Sequence, residues 1–201
     1  MPSIESLILD VPDVDAAREF YAAAFGDLGD RLQLRASADP ATGFGGYSIS
    51  LIVAQPADAD SYFESAVAAG ATVIKPVTKS MWGYGGVVQA PDGAVWKFVS
   101  ESKKNKGPAT GEIEAIVLLI GVEDVRASKE FYVDRGLKVA KSFGKKYAEF
   151  APDGGVKLAL LRRAEVAKDA GVPDAEGPHR ITISGVGSFT DPDGYTWEQA
   201  S

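Results

Sequence analysis

The 201-residue chain has no cysteine and a single histidine, His179. The first absence excludes disulfides, thiolate catalysis and every cysteine-containing metal site. The second closes any mechanism or metal centre built on two or three imidazoles. Basic residues are in the minority, 21 against 28 acidic ones for a net charge of −7. That balance argues against a nucleic-acid partner, which needs a basic face to displace counterions. No apolar run approaches the roughly 20 residues that span a bilayer, and no basic segment followed by an apolar one opens the chain. The expectation is a soluble, cytoplasmic protein with neither a membrane nor a nucleic-acid partner.

What is present is a repetition. Val11-Pro12-Asp13-Val14-Asp15-Ala16-Ala17-Arg18-Glu19-Phe20-Tyr21 returns as Val122-Glu123-Asp124-Val125-Arg126-Ala127-Ser128-Lys129-Glu130-Phe131-Tyr132, identical at seven of eleven positions. A second phrase, Pro91-Asp92-Gly93 with Trp96, returns as Pro192-Asp193-Gly194 with Trp197. Two related modules follow, 1–102 and 111–201, joined by a polar Gly-Pro-containing linker at 103–110.

In each half a branched apolar strand (Ile4 to Val11, Ile113 to Val122) leads to an acidic N-cap, Asp13 or Asp124, and then to a helical period. Val14, Ala17, Tyr21 and Phe25 share one helical face; Val125, Ser128, Phe131 and Tyr132 share the other. Further strands are expected at 31–36 and 47–53, a helix at 57–69, and strands at 72–75, 86–89 and 95–99. The strand-helix phrase recurs after 111 residues and the Pro-Asp-Gly phrase after 101. The second half therefore lacks a counterpart of helix 57–69, and carries instead a hairpin (147–150 with 156–161) and a short helix at 164–170. Lys138, Lys141, Lys145 and Lys146 read as a solvated hairpin edge.

Two copies of strand, Val-x-Asp, helix ending in Glu-Phe-Tyr, and a closing Pro-Asp-Gly-x-x-Trp hairpin resemble the vicinal oxygen chelate superfamily. That superfamily includes glyoxalase I, bleomycin-resistance proteins and extradiol dioxygenases. The resemblance implies an α+β fold of tandem βαβββ modules, both abridged here, whose curved mixed sheets enclose a cleft. It implies metal ligands in the first strand of a module, five residues before the Val of Val-x-Asp, and four residues after the glycine of Pro-Asp-Gly. Those positions hold Ser6, Val117, Lys97 and Glu198. A divalent cation needs three or four converging donors, and of these residues only Glu198 offers a strong one. No metal and no cofactor are expected.

The first functional reading is therefore a metal-independent protein that binds a small, partly apolar molecule between the modules, with Trp82, Tyr84, Lys97, Tyr147, His179 and Glu198 as anchors. Trp82 and Tyr84, in a glycine-rich stretch, suit a rim that stacks on a planar ligand. Trp96 and Trp197 suit module cores. A rival reading is a lyase or isomerase of glyoxalase type that uses Glu198 and His179 as an acid-base pair. A third is an assembly module without an occupied pocket, and a homodimer is one way to cover a bare sheet edge. Lys97 and Glu198, equivalent in the two halves, are expected to meet and neutralise each other, and the two apolar strands to pack across the repeat.

Overall fold

A computed structural model describes residues 2–39, 42–152 and 154–201. The N-terminal phrase folds as strand β1 (Ser6–Val11), helix α1 (Val14–Phe25) and strand β2 (Leu32–Ala36). Asp13 caps α1 by accepting the Ala16 amide at 3.0 Å. The chain continues through β3 (Tyr47–Val53), α2 (Pro56–Ala68), β4 (Thr72–Ser80), β5 (Gly83–Gln89) and β6 (Val95–Ser100). The repeat then gives β7 (Ile113–Val122), α3 (Val125–Asp134), β8 (Val139–Phe143), β9 (Tyr147–Phe150) and β10 (Lys157–Arg162). Last come the short helix α4 (Arg163–Ala170), β11 (Ile181–Thr190) and β12 (Thr196–Gln199).

These strands form two sheets, ordered β4-β5-β6-β3-β7-β10-β9-β8 and β12-β11-β1-β2. In the larger sheet β3 and β7 pair antiparallel at the centre, and each lies parallel to the last strand of its own unit, β6 or β10. Residues 47–100 and 113–162 are thus two complete βαβββ units joined through their first strands. The units defined by hydrogen bonding are offset from the halves defined by the sequence repeat. β1 and β7, expected to pack against each other, lie in different sheets; β1 pairs with β2 and β11 instead. The physical reason is that β7 already has both neighbours, β3 and β10, within the larger sheet.

The smaller sheet collects what remains, β1-α1-β2 from one end of the chain and β11-β12 from the other. β11 bends at Gly185 and Val186, so that its first part runs parallel to β12 while Phe189 and Thr190 return against it. No helix separates these two parts.

The two repeated phrases are recurrent because they touch. The Tyr21 hydroxyl donates to Asp92 at 2.6 Å and accepts from the Trp96 indole at 3.2 Å. In the second copy the phrases meet where the Ser128 hydroxyl donates to Asp193, while the Tyr132 hydroxyl donates to Asp191, just ahead of the phrase, whose other oxygen accepts the amides of Asp193 and Tyr195. Each buried phenol and carboxylate thus satisfies the other while Trp96 and Trp197, both 1% exposed, fill the core beside them. Gly93 and Gly194 adopt φ values of 95° and 88°, which a side chain would strain. One apolar core joins α1, α2, α3 and the inner faces of both sheets.

The 101–112 segment is fastened rather than free. Asp58 in the first turn of α2 accepts the amides of Thr110 and Gly111, and Gln55 accepts from Lys106 and donates to the Pro108 carbonyl.

Candidate functional site

Strand register places one row of side chains across the face of the eight-stranded sheet that points away from α2 and α3. From β5 to β10 the row reads Val87, Lys97, Ser50, Val117, Lys157. The two lysines hold equivalent positions, each on the closing strand of a complete unit. Lys157 pairs with Glu149 at 2.9 Å, and Glu149 also accepts the Tyr147 hydroxyl at 2.6 Å. Burial works to raise the Glu149 pKa, but the bonds from Tyr147 and Lys157 and the nearby Lys141 outweigh it and hold the carboxyl below its usual range. Burial, with Glu149 as acceptor, pushes the Tyr147 phenol up.

Helix α4 lies on this same face. Val166, Ala167 and Ala170 are buried against Phe44, Leu119 and Ala159 on one side and Val87 and Val95 on the other. Its Asp169 forms an ion pair with Lys97, and Lys75 binds the Lys168 and Asp169 carbonyls. Beneath the helix Ser48 sits opposite Leu119, fully buried, its hydroxyl without a partner among the described residues. A short helix of the chain itself thus covers part of this face of the sheet.

The four-stranded sheet carries a different group. Glu198, Ser184 and Ser6 form its row, and Arg35 on the edge strand β2 reaches over it. The Arg35 guanidinium donates to Glu198 at 2.8 Å, to Asp10 at 2.9 Å and to Thr182 at 2.6 Å. The bonds to Glu198 and Asp10 raise its pKa further.

The expected anchors do not converge. Lys97 and Tyr147 do share the concave face, on strands β6 and β9 either side of α4. Tyr84 points to the opposite face, where its hydroxyl donates to Asp60 of α2. Trp82 stands at the β4–β5 turn, 83% exposed. It lies five residues from Val87, the partner of Lys97, which is about 17 Å along the strand. Each ring nitrogen of His179 lies at hydrogen-bond distance from a backbone carbonyl, Gly45 at 2.7 Å and Asp193 at 2.9 Å. Its ring stacks on Tyr195 with centroids 3.8 Å apart. That histidine joins loops, and Glu198 is committed to Arg35, so the pair does not form an acid-base couple. Nor do Lys97 and Glu198 meet: they lie on different sheets, each neutralised by a local partner. Sequence reasoning missed Ser50, Lys157, Asp169 and Arg35. Lys157 could have been found by aligning β10 with β6, but Arg35 and Asp169 carry no motif.

A cavity of about 580 Å³ opens beside β2 and is lined by Tyr21, Ala22, Leu28, Leu32 and Leu34 among others. It lies at the free edge of the smaller sheet, where β2 is the last strand.

The comparisons with known proteins bear on this architecture. The model of the Glyoxalase/Bleomycin resistance protein/Dioxygenase superfamily matches residues 30–98. Glyoxalase I from Zea mays superposes with a TM-score of 0.61 at 15% identity, over 98% of this chain and 91% of that one. The fold is glyoxalase-like. A putative dioxygenase from Bacillus subtilis subsp. subtilis str. 168 superposes at 0.56 and 12% identity, over 95% of this chain and 71% of that one. No curated protein sequence matches the chain.

The divalent-cation site that a glyoxalase-like fold implies does not suit these residues. In the larger sheet two ammonium groups, a serine and a valine stand in the row. In the smaller sheet Glu198 already faces a guanidinium. No three His, Asp or Glu side chains converge among the described residues.

Proposed function

We propose that this glyoxalase-like protein binds a small, partly apolar anion on the concave face of the eight-stranded sheet, without a divalent cation. The observation that carries the reading is the row Lys97-Ser50-Val117-Lys157. It sets two cations, each paired with one carboxylate (Asp169 or Glu149), at equivalent positions of this face. Lys97 and Lys157 are 18% and 25% exposed at their side chains, so an incoming carboxylate meets partly desolvated ammonium groups. Val117, Tyr147 and Leu161 supply apolar surface alongside.

Isothermal titration with benzoate and 4-methylpentanoate tests the reading. Lys97→Met and Lys157→Met should each weaken binding about tenfold, the loss of one charge-assisted bond of about 1.4 kcal/mol. Arg35→Met should leave it unchanged, as should EDTA. Affinity lost with EDTA and regained with Zn²⁺, or lost in Arg35→Met and kept in both lysine variants, would contradict it.

A further inference from the structure

Resting on the reading just given, we infer that α4 is an internal stand-in for the ligand, and that the ligand is a short, branched aliphatic carboxylate that takes the place of Asp169 on Lys97. The helix presents to the sheet one carboxylate and three small aliphatic side chains, Val166, Ala167 and Ala170, all buried. The surface that receives them is mainly aliphatic, Leu119, Ala159, Val87 and Val95, with the rings of Phe44 and Tyr147 beside them. The chemistry of the occupant therefore describes what the face accepts, a single negative charge attached to a compact branched body.

Two observations indicate that α4 is a substitute rather than a complete filling. Asp169 sits in the last turn of α4, where the carbonyl end of the helix dipole disfavours an acid. Lys97 gives it a reason to be there, and Lys75 supports the same helix end by binding its carbonyls. Ser48, below the helix, is fully buried yet its hydroxyl finds no partner among the described residues. Protein interiors seldom leave such a group unpaired. The face thus offers a polar group that α4 does not use.

An anionic ligand must then compete with Asp169 for Lys97, and removing the competitor should tighten binding. Asp169→Asn is expected to bind 4-methylpentanoate about three- to fivefold more tightly than the parent chain, the scale of a half-exposed ion pair. Benzoate, of equal charge but planar, should bind both less well than 4-methylpentanoate. Saturating 4-methylpentanoate should raise amide hydrogen exchange in residues 163–172 of the parent chain. Equal affinity in the parent and Asp169→Asn, or unchanged exchange at 163–172 with the carboxylate bound, would overturn the inference. Lys97→Met separates the two levels of the argument. If it abolishes binding while Asp169→Asn has no effect, the Lys97 site stands and the role of α4 falls. If neither carboxylate binds the parent or Asp169→Asn, both fall together.

Discussion

The two sheets answer the same structural question with opposite charges. On the closing strand, four residues after the Pro-Asp-Gly glycine, the larger sheet has Lys97 and the smaller has Glu198. Each recruits its counter-charge nearby, Lys97 from the inserted helix α4 and Glu198 from the edge strand β2. The larger sheet keeps its full complement of strands, and the short helix α4 is tied to its face by the Lys97–Asp169 ion pair. The smaller has lost its outer strands and is cross-linked by one arginine that touches three of its four strands and belongs to the fourth. The comparison teaches that two sheets closed by the same Pro-Asp-Gly phrase can be held differently, one by a packed helix and the other by an arginine brace.

The strongest way to break the comparison is to ask whether the sheets unfold separately. Trp96→Ala and Trp197→Ala each remove a fully buried ring from the core beside one sheet, and each should cost about 3–5 kcal/mol. Because one apolar core joins both sheets, thermal unfolding of either variant should stay a single cooperative transition. Two resolved transitions in calorimetry would show two independent domains.

A smaller effect is expected at Asp58, which ties the segment between the repeats to α2. Asp58→Asn should cost about 1–3 kcal/mol through hydrogen bonds to Thr110 and Gly111 that lose their charged acceptor. Burial works to raise the Asp58 pKa, but the bonds from Gly111, Thr110 and Gln55 prevail and lower it. A carboxyl whose folded pKa lies below its unfolded value of about 3.9 stabilises the fold above that value. The contribution is lost as pH falls through the folded pKa. The stability gap between parent and Asp58→Asn, read from urea unfolding, should therefore be full at neutral pH and shrink on acidification below about pH 4. A gap that widened in acid would reverse the sign.

The smallest effects concern the ion pairs themselves. Arg35→Met should cost about 1 kcal/mol, since its three bonds are shared but the guanidinium is 43% exposed. Lys97→Met should cost less, because its single partner Asp169 is itself 44% exposed. Urea midpoints in this order would sharpen the contrast between arginine brace and packed helix; a larger loss at Lys97 would make its pair with Asp169 the structural one.

Much of the fold was legible in the residues. Acidic caps at Asp13 and Asp124, the Glu-Phe-Tyr faces and the Pro-Asp-Gly turns are local signals, and they mark the elements that the structure contains. That no helix separates the two parts of β11 was legible from unequal repeat spacings. The assembly of the sheets was not, because strand partners are chosen by long-range pairing and β3 and β7 read equally well as members of separate halves. Of the candidate anchors, Lys97 and Tyr147 share one face of the larger sheet, whereas the side on which Tyr84 falls depends on a register that its glycine-rich surroundings do not reveal. Asp169 and Arg35 reach their partners from elements 72 and 163 residues away in sequence, beyond any local pattern.

Amide chemical-shift mapping of the ¹⁵N-labelled protein during titration with 4-methylpentanoate tests the central claim most directly. The account predicts that the perturbed amides gather on the central strands at Ser50, Lys97, Val117 and Lys157 and along α4. Perturbations gathered instead around Asp10, Arg35, Thr182 and Glu198, or beside β2 at Leu28 to Leu34, would contradict it.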